Sequence, residues 1–121
     1  MKAILKSIDW SHENPYEYMP IERSDIYITF TCAIGLENEE GVDFFDITVC
    51  SPEYLISNDV FENKIIRHVL LVRDYDFEKI LNIINKYIDK CDGNDWNDIS
   101  FKLSRYFQWE YEDYIVSENN S

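Results

Sequence analysis

The chain has 121 residues, 45% of them hydrophobic and 16% aromatic, which is the make-up of one folded globular domain and excludes a disordered tail. It carries 24 acidic and 11 basic side chains, a net charge of −13, and a field of that sign repels nucleic acid and anionic membrane. No apolar run approaches the ~20 residues of a membrane span, and residues 1–6 are too soon interrupted for a signal peptide, so a cytoplasmic protein is expected.

Residues 2–10 have the apolar content of a first strand, but their broken alternation predicts a bulge or an end strand. Residues 11–24 lose regularity at Pro15 and Pro20 and set Tyr16, Tyr18 and Met19 among acids. Such a stretch has two readings, a binding loop or a flap that covers the core. Residues 25–36 make the clearest strand. Ile26, Ile28, Phe30, Cys32, Ile34 and Leu36 fall on one face, with Tyr27, Thr29, Thr31, Ala33 and Gly35 on the other. Residues 37–41 form an acidic turn of hairpin length, and residues 42–50 return. There Phe45, Ile47 and Val49 face one way, and Phe44, Asp46 and Thr48 the other. Ser51 and Pro52 then have the order of a helix cap and first helical position.

After a polar link over residues 58–64, the stretch 65–88 is expected to organise the domain. Val69 to Val72 are apolar without a break, as a central strand buried on both faces requires. The period then becomes helical. Phe77, Ile80, Leu81, Ile84, Tyr87, Ile88 and Cys91 follow the i, i+3, i+4 rule, with Asp76 as N-cap and Gly93 as the expected stop. Asp95-Trp96-Asn97-Asp98 predicts a second capped helix with Trp96, Ile99, Leu103 and Tyr106 on one stripe. Residues 1–116 are read as one domain and residues 117–121 as a disordered polar tail. The fold expected is α+β, a mainly antiparallel sheet of about four strands with two C-terminal helices packed on one face.

Chemistry is thinly represented. Cys32, Cys50 and Cys91 are odd in number and lack a C-x-x-C pair, so buried reduced thiols are expected. His12 and His68 are far apart, and no metal-ligand spacing, phosphate-binding glycine loop or nucleophile motif occurs. No cofactor and no metal are expected, and the class favoured is a binding module and not an enzyme. A small enzyme using Asp74, Asp76 or His68 would need those groups in one pocket with shifted pKa values. At a strand-to-helix junction the two aspartates are better placed to cap. A second alternative is an acidic adaptor or structural subunit.

Two features offer a binding surface. If the helices cover one face of the sheet, Tyr27, Thr29 and Thr31 are displayed on the other beside Phe44, Asp46 and Thr48. Acids also interleave with aromatics over residues 13–18 and 109–114, an arrangement that suits an interface or plain packing on the helices.

Several stretches together resemble the immunity protein 8 family of bacterial polymorphic toxin systems. They are Val49-Cys50-Ser51-Pro52-Glu53-Tyr54-Leu55, then Arg67-His68-Val69-Leu70-Leu71-Val72 leading to Tyr75-Asp76-Phe77-Glu78-Lys79-Ile80. The C-terminal run is the most specific, with Trp96, then Lys102-Leu103-Ser104-Arg105-Tyr106-Phe107 and Trp109-Glu110-Tyr111-Glu112-Asp113-Tyr114. The resemblance implies a small intracellular protein that binds and neutralises a cognate toxin. It supplies no toxin-binding residues, and the recurring positions look structural, including a pairing of Arg105 with a carboxylate. Charge gives the candidates instead. Residues 1–59 hold 12 acids and 3 bases, against 12 and 8 in the remainder. The interface is therefore expected on Tyr27, Glu37, Glu39, Glu40, Asp43, Phe44 and Asp46, facing a basic toxin domain that acts in the cytoplasm, a nuclease.

Overall fold

The computed structural model describes residues 1–58 and 65–112. Most of the expected polar link, as well as Tyr114 and the tail, lies outside these residues. Strand β1 (Ala3–Asp9) is followed by the hairpin of β2 (Tyr27–Leu36) and β3 (Asp43–Cys50), then helix α1 (Pro52–Ser57). Strand β4 (Val69–Leu71), helix α2 (Phe77–Asp89), helix α3 (Trp96–Leu103) and strand β5 (Gln108–Trp109) complete the order. The class is α+β. The sheet runs β1-β2-β3-β4, with β5 also on β3, and every pairing except β3 with β4 is antiparallel.

The period-2 pattern of the hairpin carries straight into the core. Ile28, Phe30, Cys32 and Ile34 of β2 and Phe45, Ile47 and Val49 of β3 are buried on one face. Against them pack Phe77, Ile80, Ile84 and Ile88 of α2 and Ile99 and Leu103 of α3. Both helices therefore lie on one side, as their stripes require. The irregular β1 has both expected features: its register shifts between Leu5 and Ser7, and it forms an edge. Ser51 accepts the Tyr54 N–H at 3.2 Å, Asp76 accepts that of Lys79 at 3.3 Å, and Asp95 that of Asp98 at 2.8 Å. The starts of these three helices are legible in the sequence.

The place of the apolar strand is not. Val69 to Leu71 sit at the edge of the sheet, in parallel register with Thr48 to Cys50, and Leu71 is 57% exposed. The hairpin strands pair with each other and β1 takes the free side of β2, so only the outer side of β3 is left for β4. β5 occupies the other half of that side, at Phe45 and Asp46. His68 immediately precedes the strand at φ 60°, a left-handed conformation that costs a non-glycine residue about 1–2 kcal/mol. Its Nε2 lies 3.0 Å from the Ser104 carbonyl oxygen, which can only accept, so that nitrogen carries the proton.

Helix α2 also ends before the expected stop. Lys90 is its C-cap, and Gly93 has no positive φ. Gly93 is needed for closeness instead, because a Cβ there would stand 2.6 Å from Asp98 Oδ2. That oxygen accepts the Asn94 N–H at 3.2 Å, so the second acid of the Asp-x-x-Asp motif reaches one residue beyond the cap. A short third helix, α1, stands where the sequence suggests only a helical turn.

All three cysteines are free and buried. Burial, reinforced by the Asp46 carboxylate, pushes the Cys32 thiol from 9.0 up to about 12, and burial also raises those of Cys50 and Cys91. Native protein at pH 8 is expected to resist thiol reagents, with all three sites reacting only on denaturation. The unfolded chain loses these protons first. Stability should accordingly hold below about pH 9 and fall as pH rises towards about 12 for Cys32. Rapid native labelling of all three would contradict the burial.

Candidate partner-binding surface

With α2 and α3 on one face, the outward residues of β2 and β3 line the other. Thr29 faces Thr48 with hydroxyl oxygens 3.0 Å apart, and Thr31 donates to Asp46 Oδ1 at 2.9 Å. Aromatics bound this polar ladder at both ends. Phe44 is opposite Ala33 at one end, and Tyr27 stacks on Tyr54 of α1 at the other with ring centroids 5.2 Å apart. Tyr27 and Phe44 are each 46% exposed, so both keep apolar area available for contact. Of the expected interface residues, Tyr27, Phe44 and Asp46 thus share one open face, the face that alternation alone defines.

The other acids sit at the hairpin end. Glu37, Glu39 and Glu40 are exposed. Their turn is held by the Glu37 N–H on the Lys2 carbonyl at 3.3 Å, the Glu39 N–H on the Leu36 carbonyl at 3.2 Å, and the Lys6 ammonium on the Glu39 carbonyl. Gly35 lets the turn fold back closely, since a Cβ at that position would lie 2.1 Å from the Gly41 carbonyl oxygen. The acidic tip is a fixed element.

Asp43, expected at the interface, is instead engaged within the chain. It is half-buried, and its Oδ2 accepts both the Trp96 indole N–H at 2.9 Å and the Trp109 indole N–H at 3.1 Å. One carboxylate oxygen ties the hairpin to the start of α3 and to β5. Trp109 also stacks on Phe45 at 12° with centroids 6.4 Å apart, and Glu110 exchanges hydrogen bonds with Phe44 at 3.1 Å. This part of the acid-aromatic tail packs as structure. Its periodicity is too short to reveal that, and nothing in a sequence pairs two distant indoles with one aspartate.

The remaining candidates stay apart. Asp76 caps α2 and borders a groove with Tyr16 and Glu78, whereas His68 borders a different one with Arg105 and Tyr106. Asp74 is exposed. Among the described residues no group of three or more His, Cys, Asp or Glu is spaced to hold a metal ion, and Arg105 has no ion-pair partner. No helix among them is long and apolar enough to cross a membrane.

Residues 11–24 cover the core. Tyr18 packs edge-on against Trp10 at 4.8 Å and Tyr75 at 5.1 Å, Tyr16 against Phe77 at 4.6 Å, and Pro15 is buried. Met19 and Ile21 nevertheless point to solvent.

The family model described as Immunity protein 8 matches residues 3–114. Neither a curated protein nor a solved structure matches the chain.

Proposed function

The chain belongs to the immunity protein 8 family, an immunity protein against a toxin, and on that premise we propose that it neutralises a basic nuclease domain in the cytoplasm by forming a tight complex. The observation that carries the partner's sign is charge. Residues 1–59 hold 12 acids against 3 bases, and the acids of the hairpin end border the sheet face opposite α2 and α3. Nucleases bind phosphate backbones with arginine and lysine, so a surface that replaces phosphate with carboxylate competes for the same groups. Opposite fields speed the encounter, and desolvated contacts around Tyr27, Phe44 and Asp46 slow its reversal.

The test uses the purified toxin domain encoded beside this chain. The two should elute together in gel filtration, and stoichiometric addition of the chain should abolish nucleic-acid cleavage in vitro. A complex that leaves cleavage intact would make the chain an acidic adaptor. No complex at all would overturn the reading.

A further inference from the structure

Tyr75 clamps the loop of residues 15–23 at both ends. Its hydroxyl donates to the Pro15 carbonyl at 2.6 Å, and its N–H donates to the Arg23 carbonyl at 2.7 Å. Arg23 returns two hydrogen bonds, from Nε at 3.2 Å and Nη2 at 2.9 Å, to the Tyr75 carbonyl. The Glu17 and Tyr18 N–H groups both donate to the Asn14 carbonyl, at 3.1 and 3.0 Å. A backbone tied at so many points has little conformational entropy left to lose on binding.

This held loop covers the core with Pro15 and Tyr18 and still leaves apolar side chains outside. Met19 is 87% exposed and Ile21 fully exposed, and Tyr16 stays 67% exposed although its ring meets Phe77 edge-on, whereas Tyr18 packs down on Trp10 and Tyr75. A single exposed apolar side chain is ordinary. Two of them, two residues apart on a clamped loop, leave apolar area on both sides of Pro20 open to a partner. Glu13, Glu17, Glu22 and Asp25 are all exposed nearby, and the neighbouring cation Arg23 is engaged with the Tyr75 carbonyl. An anionic lipid surface or nucleic acid would be repelled there.

We propose that Met19 and Ile21 are the anchors by which this chain holds its toxin, entering an apolar cleft whose rim is lined by arginine or lysine. The inference rests on the toxin-binding reading and assigns it a division of labour. The loop leads into β2 at Tyr27, the end of the sheet opposite the acidic hairpin, so the hairpin steers and the loop joins the sheet-face contacts in retaining the toxin. Loop carboxylates meet the basic rim, and the two apolar side chains exclude water from the pairs they form, as interface anchors do.

The experiment measures association and dissociation of the full chain with the purified toxin domain encoded beside it. The Met19→Ser/Ile21→Ser variant should dissociate faster by on the order of 10- to 100-fold. Its thermal midpoint should match the wild type, since neither side chain is buried. The Glu13→Gln/Glu17→Gln/Glu22→Gln variant should also dissociate faster, because it loses the carboxylates that pair with the basic rim, while its association rate stays close to the wild type. Wild-type dissociation from the serine variant, with the complex still forming, would overturn the anchor and leave the toxin-binding reading standing. Failure of the wild-type chain to bind would overturn both.

Discussion

Asp43→Ala is expected to destabilise the folded domain by about 3 kcal/mol, although its position at a hairpin base makes it look dispensable. Hydrogen bonds to a charged acceptor contribute roughly 1.5–3 kcal/mol each. Here two indole N–H groups share Oδ2, at 2.9 and 3.1 Å. Both rings are half-buried, so alanine would leave two poorly solvated donors without a partner. The half-exposure of the site keeps the expected loss well below the sum of two full contributions. The damage should also spread, because the same oxygen links β3 to α3 and to β5. The Asp43→Asn variant keeps one acceptor without the charge and should cost about 1 kcal/mol. Urea denaturation followed by tryptophan fluorescence reads both quantities, since Trp96 and Trp109 report alongside Trp10, which packs on the core. An alanine variant as stable as the wild type would show that the two indoles hold nothing together.

The second large effect is on association. Changing Glu37, Glu39 and Glu40 to lysine reverses three exposed charges on one fixed turn. Steering by complementary fields raises association rates by roughly 10- to 1000-fold at low salt. The triple variant should therefore bind a basic toxin about 10- to 100-fold more slowly, with a flattened salt dependence and little change in dissociation. Folding should be unaffected. The turn is held by backbone groups, including the Glu39 carbonyl that accepts from Lys6, and no side-chain hydrogen bond of the three acids is involved. Asp43 must stay out of such a variant, because its loss acts on stability and would mimic a binding defect. Wild-type association rates across a range of salt would move the interface away from the hairpin.

Much of this architecture is legible in the sequence because it is local. Alternation along residues 25–36 and 42–50 assigns each side chain to a face, and helical spacing from Phe77 to Ile88 assigns the stripe that covers the core. Ser51, Asp76 and Asp95 announce their helices, since a cap acts on an N–H only three residues ahead. The open face of Tyr27, Thr29, Thr31, Phe44, Asp46 and Thr48 follows from the same period of two. So does the bulge in β1.

Tertiary structure decided whatever depends on which edge is free and which polar group is near. An apolar run such as Val69 to Val72 has the same composition in the middle of a sheet as at its border. Only competition for β3, between β2 on one side and β4 with β5 on the other, places it at the edge. Gly93 reads as a helix stop in sequence, yet its neighbour in space is the Asp98 carboxylate. Asp43 reads as one more exposed acid until two tryptophans, 53 and 66 residues further along, converge on it. Sequence by itself determined the periods, the caps and the sign of the charge, which are properties of neighbours along the chain. The edge position of β4, the clamp at Asp43 and the exposed tip at Met19 and Ile21 arise from contacts between distant segments, and no local pattern encodes the distance between them.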